Sequence, residues 1–128
     1  MSTDILMSKI KDISIMIMEK EISSGKDVHG SIDLNYQGRF DSIIINSQIQ
    51  NSNDVFNYTD LNGKKINHPY ARLSIFRDDI GDNKTLKFIA TTRHVPSANS
   101  SNVKFRATII QEHKEVASDI TNIKIVKS

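Results

Sequence analysis

The sequence predicts an all-β fold, an antiparallel immunoglobulin-like β-sandwich of about seven to eight strands. Three observations carry this. Apolar residues recur with a period of two; branched and aromatic side chains, Ile above all, dominate the apolar set; and short runs of Gly, Asn, Asp, Pro and Ser separate the alternating segments. Branched and aromatic side chains lose least on a pleated, half-buried surface, and the intervening residues are those that turns require. With 128 residues, 38% hydrophobic and 25% charged, the chain fits a single domain, residues 1–128, able to bury its own core.

The first strand reads from "DISIMIM": Ile13, Ile15 and Ile17 share one face, and Ser14, Met16 and Met18 the other. Residues 3 to 10 are the one stretch with helical character, and it is too short to matter. After a turn at "SSGK", Val28, Gly30, Ile32, Leu34 and Tyr36 alternate with His29, Ser31, Asp33 and Asn35, the pattern of a half-solvated strand. Gly25 belongs to the turn, where positive φ carries no steric cost. Gly30 lies on the apolar face, where it lets the strand bend or another backbone come close. No helix follows this glycine pair, so a phosphate cradle is not implied.

"QGR" turns into "FDSIIINSQIQ", with Ile43, Ile45 and Ile49 on one face. Further strands read from "YARLSIF", "TLKFIAT" and "NVKFRATII", and a last one from "ITNIKIV". The connectors "DLNGKK", "DDIGDNK" and "HVPSANSS" carry turn residues, whereas Val55 to Pro69 has the weakest pattern of all.

In order and spacing these segments resemble the arrestin-like N-terminal domain family. "ISIMIMEKEISSGKDVHGSIDLNYQGRFDSIIINSQIQ" follows that family's order: an alternating strand, a glycine turn, Val-x-Gly-x-Φ-x-Φ (Φ apolar) and a third strand. "LKFIATTRHVPSANSSNVKFRATI" is similar to its later strand, proline-containing loop and Val-x-Phe strand, with Pro96 in the loop and Val103, Phe105 and Ala107 in the strand. The resemblance covers roughly residues 12 to 126 and extends to prokaryotic arrestin-like domains and one half of the retromer's arrestin-like subunit. It implies a binding scaffold, not an enzyme. The chain departs from the family in holding one sandwich where arrestins pair two. Lys9 and Lys11 also alternate where phosphate-reading arrestins have adjacent lysines, so phosphate sensing is not carried over.

The residues that catalysis or metal binding would need point the same way. There is no cysteine, so disulfides and thiolate metal sites are excluded. His29, His68, His94 and His113 match no metal-ligand spacing and read as surface histidines. Asp78 and Asp79 fit an acidic turn better than a calcium loop, which would need more ligands and a distal Glu. No Gly-x-Ser-x-Gly elbow occurs, and no cofactor is expected. A net charge of +2, with charges dispersed along the chain, gives no nucleic-acid signature. The chain shows neither a membrane-spanning run nor a secretory leader pattern, so a cytoplasmic location is expected.

The functional expectation is therefore a non-catalytic protein-interaction module, an adapter or scaffold, binding a protein partner through an exposed strand edge or a sheet surface. The candidate partner-binding residues are Met16 and Met18, opposite the isoleucines of the first strand, and Lys64 and Lys65 at a hairpin tip after Asn62-Gly63. Methionine adapts to varied partners, although core filling is its commoner use. A homodimer through an edge strand would use the same features. The alternative is a ligand-binding sandwich for sugars or a metal ion, motivated by the Asn- and Ser-rich loops; Tyr58 and Tyr70 are its only plausible stacking platforms.

Overall fold

A computed structural model describes residues 10–127. The expected helical stretch, residues 3 to 10, lies almost wholly outside them. Ten strands form two five-stranded sheets packed face to face: β1 (Ile13–Ile17), β2 (Glu21–Ser23), β3 (Asp27–Leu34), β4 (Ser42–Ile49), β5 (Asn57–Leu61), β6 (Lys64–His68), β7 (Arg72–Phe76), β8 (Thr85–Thr91), β9 (Ser100–Gln111) and β10 (Lys114–Val126). Sheet A runs β1-β3-β8-β5-β6 and sheet B runs β2-β10-β9-β4-β7. This is the predicted sandwich with more strands than expected. A single helical turn, α1 (Arg77–Ile80), follows β7 and contains Asp78 and Asp79 where an acidic turn was expected.

The inner faces are the alternating apolar sets. Ile13, Ile32, Ile43, Ile45, Leu86, Phe88, Phe105 and Ile109 are all essentially inaccessible. Burying each such side chain contributes about 1.5–3 kcal/mol before its ordering entropy is set against it. The rings of Phe88 and Phe105 lie 6.1 Å apart across the sandwich, and Phe56 packs on Phe105 at 5.1 Å. Both are ordinary separations for aromatic pairs.

Gly30 has a different reason from the one expected. A side chain there would collide with the ring of Phe88, its neighbour across the β3–β8 ladder. The glycine makes room for an aromatic ring, not for a second backbone. Gly25 has φ 85° and is the turn glycine it was read to be.

Two connections tie the sheets together. β1 and β2 belong to opposite sheets, and β2 pairs with β10 in parallel, the one departure from an antiparallel arrangement among the described strands. Along the seam between β1 and β10, the Asp119 carboxylate accepts the Ile15 backbone N–H at 2.9 Å and the Lys11 ammonium at 2.9 Å. Burial works to raise the Asp119 pKa, but the Lys11 and Ile15 hydrogen bonds outweigh it and hold the carboxyl below its ordinary value. A side chain thus caps a β1 edge donor that another strand could otherwise pair with.

The weakly patterned stretch from Val55 to Pro69 is the β5–β6 hairpin. Phe56 and Tyr58 are completely buried in it. Its Asn62–Gly63 turn has φ of 53° and 83°, both in the left-handed region that this dipeptide favours.

Candidate protein-interaction surface

The outer face of sheet A is built by the alternate residues of β1, β3, β8 and β5. Met16 is 64% exposed and Met18 79% exposed. Core filling, the commoner use expected of them, is corrected here: among the described residues no layer covers this side of β1, and both methionines are exposed. Met16 stands opposite Ser31, which in turn stands opposite Lys87, and His29 stands opposite Ile89.

Between these residues lies a groove of about 450 Å³ lined by Met18, Gly30, Phe88 and Ile89, with His29, Asp60 and Lys87 among its polar residues. The volume falls in the range of small recognition sites. Gly30 and Phe88 lie beneath the groove, with the Phe88 ring itself packed in the core where a Gly30 side chain would have been. Gly63 closes one side: the Asn62 side chain accepts the Lys87 N–H at 2.8 Å and its backbone N–H bonds Lys87 O at 2.7 Å, tying the hairpin tip to β8. Asp60 caps the same turn by accepting the Gly63 N–H at 2.9 Å.

At the β3 side, Glu19 holds His29 with both oxygens, accepting its backbone N–H at 2.7 Å and its Nδ1 at 2.6 Å. A carboxylate only accepts, so Nδ1 carries the hydrogen. Burial acts to raise the Glu19 pKa, and the two His29 hydrogen bonds reverse it to a net lowering. The groove therefore has an apolar floor and a pre-ordered polar rim.

Of the four candidate residues, Met18 lines this groove and Met16 shares its face. Lys64 and Lys65 are exposed at the start of β6, as expected of a hairpin tip, with Lys65 paired in register with Asp60. They do not line the groove themselves but adjoin two residues that do, Gly63 and Asp60.

The sequence missed one polar cluster. His94, expected at the surface, is only 9% exposed. Its Nδ1 meets Asp54 Oδ2 at 2.7 Å, its Nε2 meets Ser101 Oγ at 2.9 Å, and its backbone N–H donates to Thr92 Oγ1 at 3.2 Å. The bonds to His94 and Ser52 lower the Asp54 pKa against a smaller effect of burial. Asp, His and Ser in this order is also the arrangement of a hydrolytic relay. Here Ser101 is buried, and the 350 Å³ depression beside the cluster is lined by Asp54, Thr92, Arg93 and His94 but not by Ser101. The cluster is a clasp joining the β4–β5 and β8–β9 connections to β9.

Among the described residues, no three His, Asp or Glu side chains converge on a metal-sized space. Tyr58, offered as a sugar-stacking platform, is fully buried, donates to Ala71 O at 3.3 Å, and has its phenol pKa driven upward by burial. Of the two platforms offered, Tyr70, 63% exposed, remains. No described helix is long and apolar enough to cross a membrane.

No protein-family profile and no curated protein matches this chain. Solved structures do. BslA, a bacterial hydrophobin, is similar with a TM-score of 0.56 at 16% identity, over 91% of this chain and 99% of that one. The enterotoxigenic Escherichia coli adhesin CfaE gives 0.55 at 14% identity, over 91% of this chain and 48% of that one. The third ScaB cohesin of Ruminococcus flavefaciens, determined in complex with a dockerin, gives 0.50 at 14% identity, over 94% and 97% of the two chains. At these identities the likeness shows a shared immunoglobulin-like β-sandwich and no more.

Proposed function

We propose that this chain is a non-catalytic adapter module that docks a partner protein on the outer face of sheet A, seating an apolar side chain in the groove beside Met18. The observation that carries this reading is the exposure of Met16 and Met18 next to a groove floored by Gly30 and Phe88. Exposed, unbranched methionines re-pack around different partners, and a preformed apolar floor lowers the cost of ordering one. That a cohesin of the same fold was determined with a dockerin bound supports a protein partner in particular. The structures compared above are not arrestins, so the arrestin kinship is a proposal carried by the order of the sequence motifs, and the cytoplasmic setting belongs to the same proposal. The surface route is favoured over strand addition at β1, where Asp119 already occupies the Ile15 donor.

A photo-crosslinking residue placed at Met18 should capture a specific protein in the native cell. The purified partner should bind the wild type and lose at least about tenfold in affinity to M16K/M18K, while the melting transition stays cooperative. Capture of a second copy of this chain would identify the partner as itself. Unchanged binding by M16K/M18K would refute the assignment of this face.

A further inference from the structure

The outer face of sheet B has the opposite chemistry. Pairing of β4, β9 and β10 sets three rows side by side: Asn46–Arg106–Ile120, Gln48–Lys104–Asn122, and Gln50–Asn102–Lys124. Arg72 of β7 extends the first row beyond Asn46. Two adjoining depressions of about 390 and 250 Å³ share Gln48 and Lys104, so they form one track running along the strands. Four cations and five carboxamides occupy these outward positions. The carboxylates bordering them are Glu115, bound to Arg106 Nη2 at 2.6 Å, and Glu21, beside Lys124 at the β2 edge. Lys104, Lys124 and Arg72 form no ion pair among the described residues.

We propose that this face is a second docking surface, one that takes an extended acidic segment of a partner protein with carboxylates at alternate positions. Lys104 and Arg106 are alternate residues of one strand and so lie about 6.6–6.8 Å apart, the side-chain repeat of any extended peptide. Acids at two successive alternate positions would meet Lys104 and Arg106, and the neighbouring strands add Lys124 and Arg72 to either side. The flanking carboxamides offer both a donor and an acceptor, the same complement as a peptide group, and can satisfy the main chain of the segment. Nucleic-acid bases or neutral sugars would want a ring to stack on. The described outward positions of this sheet hold no aromatic residue except Phe76, at the far end of β7. The charge of acidic polysaccharides is spaced by sugar rings, not by the strand repeat.

The test uses the full chain and two fluorescent peptides of identical composition, one alternating Ser and Glu, the other with its Ser and Glu in separate blocks. Anisotropy is read at about 20 mM salt, where screening is weak. The alternating peptide should bind about tenfold more tightly than the block peptide, and K104Q/K124Q should remove that advantage. E115Q, which releases Arg106, should tighten binding about threefold. M16K/M18K should leave it unchanged, which separates failure here from failure of the sheet A reading. Amide shift mapping on the wild type should place the peptide on β4, β9 and β10 without relying on any variant. Equal binding of the two peptides, tighter binding of heparin or duplex DNA than of the alternating peptide, or shifts elsewhere would overturn the proposal.

Discussion

The outer face of sheet A carries Met16, Met18 and Ile89 among charges of both signs, Asp27, Asp33 and Asp60 beside Lys65 and Lys87, whereas the outer face of sheet B carries Arg72, Lys104, Arg106 and Lys124 among amides. Both faces are the polar alternates of the same kind of strand, and both rest on one shared core. Their inner positions are constrained to be apolar by packing; their outer positions are not, and so are free to take up different chemistry. A net charge of +2 does not reveal this difference, because the residues that share a face come from strands distant in the chain.

The comparison breaks first if the faces are not independent. F88A should cost about 3–5 kcal/mol in urea denaturation, because the ring fills the core beneath Gly30 and meets Tyr58 and Phe105. Below its transition this variant should lose the sheet A groove and keep peptide binding on sheet B; loss of both would mean that the faces communicate through the core.

D119A is next, at about 1–3 kcal/mol, since it leaves the Ile15 N–H without its acceptor at the seam between the sheets. The same carboxyl gives a pH dependence of definite sign. Its folded pKa lies below its unfolded value, so its contribution is present above about pH 4 and is lost as pH falls through the lowered value. Acid denaturation of D119A should therefore be shallower than that of the wild type, and parallel acid limbs would disprove the link.

H94A should cost about 1–2 kcal/mol by releasing Asp54 and Ser101, with no loss of binding on either face. The smallest effects are the most telling. M16K/M18K and K104Q/K124Q should each change stability by less than about 0.5 kcal/mol while weakening binding on one face only. A larger loss would show that the altered face is packed against something within the domain.

Much of the fold could be read from the alternation alone. Ile13, Ile15 and Ile17, then Val28, Ile32 and Leu34, then Ile43, Ile45 and Ile49 are buried as their spacing requires. β5 escaped because a bulge between Tyr58 and Asp60 breaks the period of two. The first half of β10 escaped because its inward position Asp119 is polar and a bulge between Glu115 and Ala117 breaks the alternation. Alternation also showed that Met16 and Met18 oppose the isoleucines, but not whether a layer covers them; that depends on tertiary packing. The basic face was invisible for a related reason. Residues 72, 104, 106 and 124 meet only through strand pairing, and His94 finds Asp54 only through two connections distant in sequence.

The parallel β2–β10 pairing has a consequence for the order of events during synthesis. Ile22 pairs with Ile125, and Ile15 is bonded by Asp119, so the earliest strands make their last contacts with the latest residues. Such distant closure carries a large loop entropy and places folding on the order of milliseconds to seconds. While the ribosome is still building β10, the β1 edge and the seat of β2 stay open, and a nascent chain stalled before residue 119 would present them to any passing strand.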